Sequence, residues 1–227
     1  GGIAHAAYGG IGLGYFLGIE PIWAAIPFSL AAAVIMGFVQ QRTRQYADTL
    51  IGILWAMGMA IGIIFIDLTP GYTADLMSYL FGSILAVPQS SVLAIFILDV
   101  VIILLFYVFY KEFQAISFDE EFAKVLNVPV EPFYFLQLGL TALTVVVTMR
   151  VVGLIMVIAL LTIPAAISIQ LTTKLHHMMI LSSILGIVFT LMGLYLSYIF
   201  NLTSGATIIM VAGIGFLLSM VYERYRL

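Results

Sequence analysis

SFDEEFAKVLN, residues 117–127, is the one clearly water-seeking helix signal in an otherwise apolar chain. Ser117 with Glu120 three residues on forms a capping box, and Asp119, Glu120 and Glu121 bring negative charge to a helix N-terminus, where the peptide dipoles favour it. Phe118, Phe122, Val125 and Leu126 follow at i, i+4, i+7 and i+8, which makes one apolar stripe. Asn127 suits the end of the helix, and Pro129 prevents its continuation. The spacing predicts a short amphipathic helix over residues 117–127, with a stripe that must cover something.

The chain on either side decides the fold. Of 227 residues, 63% are hydrophobic and 8% charged, against roughly 25% charged in a soluble domain. Water is therefore not the solvent for most of this surface. Apolar segments run over residues 3–19, 22–39, 50–68, 92–110, 133–149, 151–171, 178–200 and 206–222, each near the roughly 20 residues a helix needs to cross hydrocarbon. These runs are unbroken and do not alternate, which excludes a barrel. The reading is an all-α, polytopic transmembrane helical bundle of about eight spans. It forms a single domain over residues 1–227, with no room for a second, soluble one. There is no cysteine, hence no disulfide and no thiolate ligand or nucleophile. The opening GGIAHAAYGG already reads as helix interior, so a truncation at the N-terminus is expected.

Lys and Arg orient the bundle. Arg42 and Arg44 follow the second segment, Lys111 and Lys124 the fourth, Lys174 the sixth, Arg224 and Arg226 the eighth. Under strict alternation these lie on one side and only Arg150 lies opposite, so the positive-inside rule places them in the cytoplasm, together with the 117–127 helix. The long connection 67–88 then lies outside; within it DLMSYLFGSIL, residues 75–85, is apolar but too short to span and predicts an outer half-helix. Gly10, Gly14 and Gly18, and again Gly58 with Gly62, make G-x-x-x-G faces for close helix packing. Pro164 is expected to break or kink its span, a tight turn is expected at Arg150, and His176 and His177 read as an interfacial loop pair.

Ionisable groups at membrane depth are costly and therefore candidates for function. His5 stands fifteen residues before Glu20, roughly 22 Å below the outer end of its helix at 1.5 Å per residue. It suits either a borderline metal ion or a hydrogen bond to a backbone carbonyl. Asp99, near the middle of FILDVVIILL, suits either a cation path or a structural pair with an Arg, Ser or Thr of a neighbouring helix. No catalytic constellation is visible, and no G-x-x-x-x-G-K-[ST] phosphate loop exists. The chain moves something, does no covalent chemistry, and takes any ATP energy from another chain.

GGIAHAAYGGIGLGYFLGI, DLMSYLFGSIL, SFDEEFAKVLNVPV, RVVGLIMVIALLTIPAA and LYLSYIFNLTSGATIIMVAG, in this order, resemble the permease subunits of metal-ion ABC transporters, which import zinc, manganese or iron. The resemblance runs from the first residue to about Gly215. It implies a multi-pass protein of the prokaryotic inner membrane with no cofactor of its own and no nucleic-acid partner. The implied partners are ABC ATPase subunits, a second permease copy or paralogue, and an extracytoplasmic metal-binding protein. The 117–127 segment then resembles the coupling helix that fits a groove on the ATPase, through Phe118, Asp119, Glu120, Glu121, Phe122, Val125 and Leu126. His5 matches the histidine of the family's S-H-A motif, here Ala4-His5-Ala6, implicated in the metal path. Many members carry Asp four residues earlier; this chain has Gly1 there, which puts the paired site in doubt. The rival reading is a gradient-driven secondary transporter with Asp99 as the coupling carboxylate, although no inverted repeat stands out between the halves.

Overall fold

The computed structural model of the chain describes residues 1–42, 47–71, 79, 80, 82, 84 and 87–226. The helices are α1 (Gly2–Leu17), α2 (Pro21–Arg42), α3 (Ala47–Asp67), α4 (Gln89–Val108), α5 (Tyr110–Phe118), α6 (Glu120–Val125), α7 (Val130–Val152), α8 (Leu154–Leu171), α9 (Leu175–Phe200) and α10 (Ser204–Arg226). No strand occurs among the described residues. Six helices, α2, α4, α7, α8, α9 and α10, are long and apolar enough to cross a membrane, while the apolar part of α3 is shorter. The outer half-helix expected over residues 75–85 lies for the most part outside the described residues, as does Arg44.

The chain divides into two compact units, one of Gly1–Leu76 with Pro88–Thr148, the other of Met77–Val87 with Met149–Leu227. In the first, α1 is the central element. Gly2 to Gly12 and Gly14 are all buried, and α1 packs on both α2 and α3. Size explains this. A Cβ on Gly10 would stand 2.5 Å from Ala25 Cα and one on Gly14 2.6 Å from Pro21 Cα, whereas one on Gly58 would stand 2.5 Å from Ala6 Cα. Gly12 lies against the backbone of Gly62. No side chain fits at these points, so the helices meet backbone to backbone. Gly18 departs from the expected stripe. It caps α1 at φ 67°, the left-handed region that glycine enters without a Cβ penalty, and Ile19 N–H closes the turn on the Gly14 carbonyl at 3.0 Å. Ile3, Ala33, Met36 and Ala142 complete the core, with Leu30, Leu54 and Leu138 packed against them.

The second unit packs α8, α9 and α10 around Ile167, Phe189 and Ala212. Two expectations are corrected here, and of the break or kink expected at Pro164 the break is ruled out. The break between α7 and α8 is Gly153 at φ 80°, a conformation that a residue without a Cβ enters freely, and Arg150 belongs to the last turn of α7. Pro164 does not break α8, which runs continuously through it with Pro164 fully buried. Its carbonyl accepts a bond from Ser168 Oγ at 2.8 Å. His176 and His177 stand in the first turn of α9, their rings 4.2 Å apart, and not in a loop. Throughout, hydroxyls bond back into their own helices, as Thr144 Oγ1 does to Leu140 O at 2.8 Å and Thr190 Oγ1 to Gly186 O at 2.8 Å. In hydrocarbon no water would satisfy them. Large apolar side chains such as Phe96, Leu191 and Leu217 are exposed instead, a surface made for lipid.

Candidate functional site

The water-seeking stretch folds as two helices and not one. Asp119 is extended, at φ −158° and ψ 108°, and separates α5 from α6. It is also the N-cap: its Oδ1 accepts from Glu121 N–H at 2.9 Å and Phe122 N–H at 3.1 Å. Ser117, the expected cap, stays inside the last turn of α5. The far end matches the expectation, since Asn127 takes φ 59° and Val128 N–H returns to the Ala123 carbonyl at 3.0 Å.

The apolar stripe faces away from the protein. Phe118, Phe122, Val125 and Leu126 are 55–77% exposed, whereas Ala123 on the opposite side is completely buried. The helix thus sits on its small side and presents its large one. Its base is aromatic: Phe113 of α5 is buried, stacks on Phe106 of α4 at 4.3 Å and meets Phe133 of α7 edge-on at 5.5 Å. Beside it an open pocket of about 570 Å³ is lined by Gln40 and Gln41 of α2, Asp119 to Glu121 and Lys124, and Glu131 and Tyr134 of α7. Tyr134 Oη donates to Gln40 Oε1 at 2.7 Å across it. The rim is acidic, with Lys124 paired at 3.4 Å to Glu121.

His5 is 8% exposed within α1. Its Nδ1 lies 2.9 Å from the Gly1 carbonyl; a carbonyl only accepts, so Nδ1 carries the proton and Nε2 keeps the free lone pair. The hydrogen-bond alternative and the ligand alternative are therefore compatible, because they use different nitrogens. The ring lies against Trp55 of α3, centroids 4.1 Å apart. Nothing in the sequence pattern marks Trp55. Asp99 is exposed on α4 and makes no hydrogen bond or ion pair among the described residues, so the structural pair expected for it is not formed within them. It does not join His5, and among the described residues no three His, Asp or Glu side chains converge.

An all-helical fold with six membrane-length apolar helices among the described residues defines a multi-pass membrane protein. The ABC 3 transport family model matches residues 1–223; the chain belongs to that family, as a permease subunit of a metal-ion ABC transporter. It is 55% identical to an uncharacterized membrane protein of Synechocystis over 99% of this chain and 80% of that one. It is 41% identical to the manganese transport system membrane protein MntC of Listeria monocytogenes, over 97% of this chain and 78% of that one. Among solved structures it resembles PsaBC from Streptococcus pneumoniae in complex with Fab, at TM-score 0.83 and 35% identity, covering 96% of this chain and 78% of that chain. These likenesses lend nothing to the gradient-driven alternative.

Proposed function

We propose that this chain is the membrane subunit of an ATP-driven importer of a divalent transition-metal ion, with manganese the first candidate because similar proteins are named for manganese transport. One observation carries the reading. A capped helix anchored by Ala123 holds Phe122, Val125 and Leu126 out of the protein, with Phe118 exposed at the end of α5 just before it. Such a stripe outside the membrane spans marks an interaction surface, and the chain has no phosphate loop of its own. An ABC ATPase with an apolar groove and a basic rim, complementing Asp119, Glu120, Glu121 and Glu131, fits the surface.

The two units act as one permease domain, since the family match crosses both. Eight spans place α6 in the cytoplasm by the positive-inside rule, with α1 and α3 as the two short ones. An extracytoplasmic binding protein delivers the ion, and a second permease copy or a paralogue completes the pathway. His5 offers Nε2 to the passing cation. Asp99 is exposed at mid-helix, where lipid would be a costly neighbour, so it faces the path or the second permease. With Gly1 in place of the family's Asp, the ion meets few ligands at once and is held loosely, as a cargo must be.

Uptake by the full complex in vesicles, with and without ATP, against a panel of divalent metals tests this. ATP-dependent accumulation of Mn²⁺ is expected; accumulation driven by an ion gradient without ATP would overturn it.

A further inference from the structure

We infer that Trp55 is the positioning residue of the His5 ligand, and that the two rings work as a pair on the passing cation. The inference rests on the reading that His5 lies on the cation path. An imidazole within a helix keeps two freedoms that matter to a metal, which nitrogen is free and where the ring plane points. The bond from Nδ1 to the Gly1 carbonyl settles the first. The indole of Trp55, 4.1 Å away and tilted by 33°, settles the second.

Backbone packing puts the indole there. Gly58, one turn along α3 from Trp55, lets that helix approach Ala6, the neighbour of His5, so closely that a Cβ on Gly58 would stand 2.5 Å from Ala6 Cα. The pairs His5–Trp55, Ala6–Gly58 and Tyr8–Gly62 advance together along both helices, so α1 and α3 run in the same direction at matched depth. The indole is 46% exposed while the imidazole is 8% exposed, which places the pair at the edge of its unit. A ligated imidazole is more cationic than a free one, and an indole face favours that state. Outer contacts of this kind commonly set the affinity of a histidine ligand.

Trp23→Phe, together with Phe for any tryptophan outside these 227 residues, which carry two, leaves Trp55 as the one indole. With that full-length permease in nanodiscs, Mn²⁺, a paramagnetic quencher, should quench Trp55 emission saturably, and His5→Ala should remove the saturable phase. Absence of saturable quenching, or its survival in His5→Ala, would overturn the pairing. In vesicles holding the full complex, Trp55→Leu should raise the half-saturating Mn²⁺ concentration about tenfold, while Trp55→Phe, which keeps an aromatic face, should stay within about threefold of wild type. Equal behaviour of the Leu and Phe variants would sink the inference even if transport is intact. A wild-type complex without ATP-dependent uptake would instead sink the transport reading, which the quenching measurement does not need.

Discussion

At Asp119 one residue ends a helix and its carboxylate caps the next. Its Oδ1 satisfies two N–H groups at the start of α6, and a six-residue helix has little else to hold its first turn. Asp119→Ala should cost about 1 kcal/mol, which is about a fivefold weaker association with the ATPase, measured by titrating the purified subunits. Asp119→Ser, also a capping residue, should recover most of the loss. His5 is the other residue on which the proposed function turns. His5→Ala should lower metal uptake about tenfold or more while the assembled complex persists on purification. Uptake unchanged across several divalent metals would take His5 off the path.

The docking helix shows what a sequence pattern can and cannot say about an element. Its stripe was legible because Phe118, Phe122, Val125 and Leu126 keep a helical period. Which way the stripe points was not, since burial of a face depends on the neighbours, and Ala123 carries no signal of its own. The pattern also named the wrong cap. The capping box pointed to Ser117, but α5, whose Phe113 packs on Phe106 and Phe133, runs through Ser117 to Phe118, and Asp119 is the break. Phe122→Asp would set an unpaired carboxylate against an apolar groove, at about 3–5 kcal/mol. Co-purification of the ATPase should be abolished, with helical content by circular dichroism unchanged. If the ATPase still co-purifies at wild-type levels, α6 is not the docking element.

At the scale of the molecule, α1 holds the first unit together by being small. Gly62→Val would drive a side chain toward the Tyr8 carbonyl, 2.6 Å from the position of Cβ, and should cost about 1–3 kcal/mol, read as a lower melting midpoint of the solubilised permease. Gly52 in the same helix is the control: a Cβ there meets nothing within 4 Å. Gly52→Ala should therefore be neutral or stabilising, by up to about 1 kcal/mol from helix propensity. Equal melting for both variants would show that close backbone contact is not what holds α3 on α1. The spacing of Gly58 and Gly62 announced that contact, whereas the stripe of Gly10 and Gly14 serves the contact of α1 with α2, and Gly12, outside the stripe, meets Gly62. Gly18 shares the spacing but serves as a cap, because the helix happens to end there.

Composition and periodicity by themselves determined that the chain is a membrane-spanning α-helical protein with one amphipathic, water-seeking stretch, since the solvent a helix needs is written in its side chains. They also singled out His5 and Asp99, because ionisable groups are rare in an apolar run. Only the tertiary structure decided that α1 lies at the centre of its unit, that the docking stripe is open, and that His5 leans on Trp55 while Asp99 stands exposed. Those facts depend on which elements meet, as when His5 finds Trp55 fifty positions along the chain, and the energy that joins them comes from close packing, which a local pattern does not encode.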